Sequence, residues 1–139
     1  MAISQGMSIS FKTQVLKGDQ DFDANTFKLA LFTDAASLSS GTAIYSTSAE
    51  VSGVGYTAGG NVLSIVTVAV DGSVGIVDVS NTAWTTATFT ARGGLIYNSS
   101  KSNSTVAVLD FGGNKSVENG TFTIQFPAPA AATAIIRLV

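Results

Sequence analysis

The sequence predicts an all-β protein, folded as a single antiparallel β-sandwich of about seven to eight strands with at most one short N-terminal helix. Short runs of β-branched and aromatic residues recur between Gly, Ser, Asn and Thr clusters, with turn signals about every 8–12 residues. A length of 139 residues fits one domain that buries a core of its own. We therefore divide the chain into an N-terminal arm or short helix, residues 1–18, and a β-sandwich domain, residues 19–139.

The centre of the predicted sheet is a strand–turn–strand unit at residues 94–111. The strands cover residues 94–97 and 105–111, and the seven residues between them, 98–104, have no apolar side chain. Both strands are nearly continuous in apolar residues, which indicates burial on both faces. We expect the other strands to be added on either side of this unit.

Residues 7–17 are predicted to form a short amphipathic helix. Met7, Phe11 and Val15 are spaced four apart, which places them on one face of a helix. Gly18 follows as a suitable C-terminal cap. An extended arm is the alternative, because polar and apolar residues also alternate in this segment.

Residues 26–33 are predicted to be the first strand, since three alternating apolar side chains share one face. Just before it, Asp19, Asp21 and Asp23 stand at alternate positions, as at the start of a calcium-binding loop. Alanines occupy the sixth and twelfth positions, where such a loop needs Gly and Glu. We therefore predict a solvated turn at residues 19–25 and no metal site.

A glycine-rich loop is predicted at residues 50–60. It lacks the Gly-Lys-Ser/Thr of a phosphate-binding loop, and a strand-like segment follows it instead of a helix. We expect its glycines to allow positive φ or a close approach of backbones, and Tyr56 to anchor the loop on the core. Upstream, Thr47 and Glu50 fit a capping box, so residues 47–50 are predicted to form either one helical turn or an irregular bend.

The sequence of the second half of the chain predicts further strands and turns. Asp71 and Gly72 lie between two apolar segments, which is typical of a tight hairpin. Trp84 is predicted to pack in the core. A second turn is predicted at residues 112–120. The strands predicted here are residues 61–70, 74–79, 87–92, 121–126 and 133–139.

The composition argues against an enzyme. Without cysteine there are no disulfides or thiolate metal sites, and without histidine the usual general base and zinc ligand are missing. Adjacent serine and lysine residues, which could form a nucleophile and its base, occur at Ser100-Lys101 and Lys115-Ser116. Both pairs lie in predicted polar turns, where lysine stays solvated and charged. The acidic residues Asp78, Asp110 and Glu118 share no spacing. We predict no catalytic, cofactor-binding or metal-binding residues.

Charge and hydropathy argue against nucleic-acid and membrane partners. Charged residues make up 12% of the chain, the formal net charge is −2, and the seven Lys and Arg residues do not cluster. The apolar C-terminal segment, residues 130–139, is too short to cross a bilayer and contains Arg137. Ser and Thr fill most polar positions, which suits a protein that packs against neighbours.

Several short sequence stretches, distributed in order over nearly the whole chain, together form a recognisable pattern. They are residues 11–13, 25–31, 50–60, 88–102, 107–112 and 121–126, followed by Ile135, Ile136 and Arg137. Together they resemble a family of small structural proteins from the virions of tailed bacteriophages. Residues 63–78 form the variable part of this resemblance.

The resemblance implies a non-enzymatic capsid decoration, or cement, protein on the outer surface of the virion. Its implied partners are the major capsid protein and copies of itself, which we expect to form a homotrimer. Residues 1–14 are then a candidate arm that reaches a neighbouring subunit. The alternative is that this segment packs on its own sandwich.

Two other functions stay open at the level of the sequence. One is a tail, collar or fibre component of the same virion. The other is a carbohydrate-binding module, which would need a row of exposed aromatic side chains. Tyr45, Tyr56, Trp84 and Tyr97 are not spaced as such a row.

Overall fold

The computed structural model describes residues 2–138 and confirms the all-β prediction. A five-stranded sheet, in the order β1-β7-β6-β2-β3, packs against a three-stranded sheet, in the order β4-β5-β8. All paired strands run antiparallel. The elements are β1 (Gly6–Met7), α1 (Ile9–Leu16), β2 (Phe27–Phe32), β3 (Asn61–Val62), β4 (Ile65–Asp71), β5 (Val74–Val79), β6 (Thr82–Asn98), β7 (Ser104–Ile124) and β8 (Ile136–Leu138).

A long hairpin of β6 and β7 forms the centre of the large sheet, as predicted. The two strands contain 17 and 21 residues and pair from Thr82 opposite Ile124 to Asn98 opposite Ser104. The core consists of a larger cluster between the two sheets and a smaller cluster on the opposite face of the large sheet. The central part of the hairpin is buried on both faces, because Ile96 lies in the larger cluster and its neighbour Leu95 lies in the smaller one. This two-sided burial explains the continuous apolar runs in the sequence.

The predicted turn at residues 112–120 is wrong, because β7 continues through it. Ala91 pairs with Lys115 and Gly93 pairs with Asp110, so residues 111–114 lie opposite Arg92 alone. Gly112, within this bulge, has a φ of +80°. A β-bulge uses the same residue types as a turn but keeps the strand paired on either side, so composition does not separate the two.

Strand β2 carries apolar side chains toward both core clusters. Phe27, Leu29 and Leu31 belong to the larger cluster, between the two sheets. Ala30 and Phe32 belong to the smaller cluster, on the opposite face of the large sheet. The smaller cluster is covered by residues near the N-terminus and in the loop after β2, including Ile3, Leu38 and Tyr45.

The helix prediction is confirmed, with α1 beginning two residues later than expected and ending at Leu16. Gly18 has a φ of +78°, and the N–H groups of Gly18 and Asp19 donate to the carbonyls of Val15 and Gln14. These two bonds form the Schellman cap that the glycine predicted. Residues 2–16 pack on the protein's own sandwich, with Ile3 and Phe11 buried. Met1 lies outside the described residues.

The segment predicted as one strand at residues 61–70 is divided between the two sheets. Asn61–Val62 pairs with β2 in the large sheet, Leu63 is buried, and the chain enters the small sheet at Ile65. The hairpin turn that follows consists of Gly72 and Ser73, one residue later than predicted, because Asp71 pairs with Val74.

The C-terminal strand prediction is confirmed in part. The strand β8 pairs with β5 and covers Ile136–Leu138, whereas residues 133–135 of the predicted strand form the end of a turn and a bend. Val139, the last residue of the predicted strand, lies outside the described residues. Within residues 2–138, no helix has the length and apolar character that crossing a bilayer requires.

Candidate functional site

An apolar groove of about 390 Å³ opens between α1 and the small sheet. The helix side contributes Met7, Phe11, Val15 and Leu16. Side chains of this kind would be expected inside a core, yet here they border a cavity that faces outward. We regard this groove as the candidate functional site, because concave apolar surfaces are where proteins bind partners.

The sheet side of the groove is formed by residues that are paired across strands. Val68 on β4, Val77 on β5 and Ile136 on β8 stand opposite one another, so their side chains share one face of the small sheet. Val77 and Ile136 are buried and support the floor, whereas Val68 is 46% exposed. Leu138 lies two residues beyond Ile136, on the same face, and is 64% exposed.

The helix side is fixed by Phe11 and by the aromatic ring that follows the helix. Phe11 is buried and makes an edge contact with Phe22, whose ring stacks on Phe27 of β2 at a centroid distance of 4.3 Å. Leu16, in the last turn of α1, also lines the groove and is 84% exposed. The groove therefore has a buried floor and an exposed apolar rim, to which Leu16 and Leu138 belong.

Charge is sparse at the groove. Lys12 is the single ionisable residue among the described residues that line it. Its ammonium group places one positive charge at the border of an otherwise apolar surface. A partner that presents an apolar segment next to a carboxylate would match this surface in both hydropathy and charge.

The glycine-rich loop is held by a polar cluster around Glu50, which sequence reasoning missed. The Glu50 carboxylate accepts hydrogen bonds from the hydroxyls of Tyr45 (2.6 Å) and Tyr56 (2.5 Å) and from the N–H of Gly59 (2.8 Å). Residues 47–50 therefore adopt the irregular bend and not the helical turn, with Ala49 at a φ of +62°. The carboxylate that a capping box would use is already bound to the loop.

Burial and the nearby carboxylate raise the pKa values of the tyrosines in this cluster. Burial, reinforced by the hydrogen bond to Glu50, raises the pKa of both Tyr45 and Tyr56 above the ordinary range. Burial and then the charge of Glu50 raise the pKa of Tyr97 to about 12. All three hydroxyls therefore remain protonated at neutral pH and serve as hydrogen-bond donors.

The predicted role of the loop glycines is confirmed. Gly55, Gly59 and Gly60 all have positive φ. A Cβ atom on Gly60 would lie 1.8 Å from the carbonyl oxygen of Leu29. The loop thus lies directly on β2, and Tyr56 anchors it there as predicted, because its hydroxyl also accepts the N–H of Leu31 at 2.9 Å.

Three of the residues weighed for chemistry, Ser100, Asp110 and Ser116, make structural contacts. Asp110 forms an ion pair with Arg92 across the hairpin, and its pKa is lowered first by the N–H of Gly112 and then by Arg92. Ser116 shares a hydrogen bond of 2.7 Å with Thr90, and Ser100 accepts the N–H of Thr26. Residues 2–138 contain no group of three or more acidic side chains arranged to hold a metal ion.

The aromatic side chains considered for sugar binding face inward. Trp84 and Tyr97 are buried. Tyr45 stacks on Tyr97 at 4.4 Å between ring centroids, and Tyr56 stacks on Trp84 at 5.9 Å. These four rings therefore do not supply the exposed row that a carbohydrate-binding module needs. The prediction that Trp84 packs in the core is confirmed.

The fold and the groove define an all-β, sandwich-like protein with an apolar surface groove. No protein-family model, curated protein or solved structure matches the chain. The resemblance to virion proteins of tailed phages stays a prediction.

Proposed function

We propose that this protein is a non-enzymatic structural protein of a tailed-phage virion, which binds the outside of the capsid as a decoration protein. The observation that carries the proposal is the outward-facing apolar groove between α1 and the small sheet. Exposed apolar side chains are costly in water, and a rimmed apolar concavity is typical of a surface that another protein covers.

The composition supports the same proposal. Only 12% of the residues are charged, and the polar surface consists largely of Ser, Thr and Asn. Such a surface leaves few charges to desolvate when many copies pack side by side on a shell. Repetition then raises the strength of attachment, because weak contacts in a lattice act together.

We assign the groove to the capsid partner. An apolar segment of the major capsid protein fills it, and a carboxylate of that segment lies near Lys12. Fully burying a side chain such as Leu16 contributes about 1.5–3 kcal/mol. Burial of Leu16 and Leu138 would therefore supply a substantial share of the binding free energy of a weak contact. Bridging adjacent capsid subunits in this way raises the barrier to their separation, which is how a decoration protein stabilises a shell.

The number of copies per particle tests this function. Virions that carry the gene are purified and their proteins are quantified by stained gel and mass spectrometry against the major capsid protein. A decoration protein is expected at a copy number comparable to that of the capsid protein. A few to tens of copies would instead place it in the tail, collar or fibre, and its absence from virions would overturn the proposal.

A matched pair of variants connects the function to the groove. Leu16→Lys places a charge on the rim, and Ile44→Lys places one at a similarly exposed apolar position, 62% exposed, outside the groove. Added to particles that lack the protein, the first variant is expected to bind the shell weakly and the second to bind like the native protein. Equal binding of the two would refute the assignment of the groove.

A further inference from the structure

The outer edge of the small sheet is an unpaired strand. Among residues 2–138, β4 has β5 as its only strand neighbour. Apart from the ladder to β5, residues 66–71 make no backbone–backbone hydrogen bond within the described chain. The N–H and C=O groups on that side of β4 are therefore available to a further strand.

Most of the features by which proteins prevent strand addition are missing from residues 67–70 of this edge. The stretch 65–70 contains no charged residue and no proline, and Val66 and Val70 are 60% and 71% exposed. A bulge at Val66 disturbs one end of the strand and leaves residues 67–71 in regular register. By contrast, the outer part of β7 carries two bulges together with Lys115 and Glu118.

We infer that β4 pairs with β4 of a second copy of this chain, antiparallel and centred on Ala69. A twofold axis through Ala69 would join two three-stranded sheets into one sheet of six strands. Self-pairing follows from the edge of β4 alone and is independent of the proposed function. It gives a twofold dimer in place of the homotrimer expected from the resemblance.

The sequence of β4 matches itself in this register. Val68 stands opposite Val70 of the second copy, and both side chains lie on the apolar face that continues into the groove. Thr67 stands opposite the partner's Asp71 on the other face. In the single chain its hydroxyl makes only a long hydrogen bond of 3.5 Å to the carbonyl of Val68, and in the dimer it donates to the carboxylate instead. Asp71 is exposed, and one of its oxygens accepts the N–H of Ala131 at 2.6 Å, which leaves the other oxygen for Thr67.

Charge does not oppose the pairing. The two Asp71 residues of a dimer would be four strand positions apart, or about 13 Å. This separation exceeds the Debye length of about 8 Å at physiological ionic strength, so their repulsion is largely screened. Apart from Asp71, the paired segment holds no charge on either copy.

The size of the contact predicts a weak dimer. Five paired residues span about 17 Å, and an interface of this length falls among the small ones, below about 1,200 Å² in total. A dissociation constant of roughly micromolar order is expected. The purified protein should therefore change from monomer to dimer with concentration.

Analytical ultracentrifugation of the native chain and of two Thr67 variants tests the register. The native protein is expected to be dimeric at about 100 µM and to dissociate on dilution. Thr67→Lys faces the partner's Asp71 with an opposite charge and is expected to tighten the dimer. Thr67→Glu faces it with a like charge and is expected to weaken the dimer, so that the two dissociation constants differ by about tenfold or more, because the pair occurs twice in the dimer.

Three controls accompany this measurement: salt dependence, a variant outside β4, and circular dichroism. The difference between the Thr67 variants should shrink as salt is raised, since both residues are exposed. Val54→Lys, at an exposed apolar position outside β4, should leave the dimer unchanged, and circular dichroism should be the same for all variants. A protein that stays monomeric at about 100 µM, a trimer, or equal affinities for the two Thr67 variants would overturn the inference.

Discussion

The hydroxyl of Tyr56 donates a hydrogen bond of 2.5 Å to the carboxylate of Glu50 and accepts one of 2.9 Å from the N–H of Leu31. A single side chain thus connects the bend at Glu50, the glycine-rich loop and the central part of β2. The loop covers the larger core cluster, to which the Tyr56 ring is packed. The integrity of this connection is therefore expected to determine how firmly the loop is held.

Glu50→Ala is expected to lower the free energy of unfolding by about 2–4 kcal/mol, because it leaves two tyrosine hydroxyls and the Gly59 N–H without their acceptor. Chemical denaturation followed by fluorescence of Trp84 measures the change. Glu118→Ala removes an exposed carboxylate from β7 and should stay within about 0.5 kcal/mol of the native protein. Equal stabilities of the two variants would contradict the role of Glu50.

Stability is expected to fall in alkaline solution because of the same cluster. In the unfolded chain tyrosine ionises near pH 10, whereas in the folded protein the pKa of Tyr97 is raised to about 12. The unfolded state therefore loses its protons first, and the contribution is complete below about pH 10 and is lost as the pH rises toward about 12. The raised pKa values of Tyr45 and Tyr56 act in the same direction.

Denaturant unfolding between about pH 8 and about pH 11.5 checks this dependence. The free energy of unfolding should be level at first and then decline, and Tyr97→Phe should make the decline shallower. The variant loses the hydrogen bond to the carbonyl of Gly59, so its stability at neutral pH should also be lower. A native protein whose stability stays constant up to about pH 11.5 would disagree with the burial of these hydroxyls.

Gly60→Ala is expected to destabilise the protein by more than about 3 kcal/mol, since the added Cβ would overlap the carbonyl oxygen of Leu29 and the φ of +79° is strained for alanine. Gly72→Ala separates these two effects. Gly72 has a φ of +63° but open space around it, so this variant should lose only about 1–2 kcal/mol. Similar losses for the two variants would show that the loop does not lie against β2.

Leu138→Lys is expected to weaken binding of the protein to phage shells by about tenfold or more, because a lysine would not be buried under the capsid segment as we propose for the leucine. Its thermal unfolding should be nearly unchanged, since the native leucine is 64% exposed. Sedimentation of the variant with particles that lack the protein measures binding. Native-like binding would show that this rim does not contact the shell.

Much of the fold could be predicted from local patterns. The apolar run ending at Tyr97, the alternating residues of β2 and the cap glycine Gly18 each follow from the burial or the backbone angle that they serve. These signals are short-range, so the residues that carry them lie within one element. The two-sided burial of Leu95 and Ile96 is one example, because a central strand needs apolar residues on both faces.

The features that sequence reasoning missed depend on contacts between distant residues. The bulge at Gly112 resembles a turn in composition, and only the pairing of Ala91 with Lys115 shows that the strand continues. The groove joins Leu16 to Leu138, which are far apart in the sequence. The alternation of Val66, Val68 and Val70 is visible in the sequence and could have indicated an apolar strand face. Exposed valines on an edge strand are unusual.

A cryo-EM reconstruction of the parent particle tests most directly whether the groove is a docking surface on a phage shell. We predict that the protein lies on the outside of the capsid and that Leu16 and Leu138 are covered by an apolar segment of the major capsid protein. A shell that lacks the protein, or one on which the groove faces solvent, would contradict this assignment.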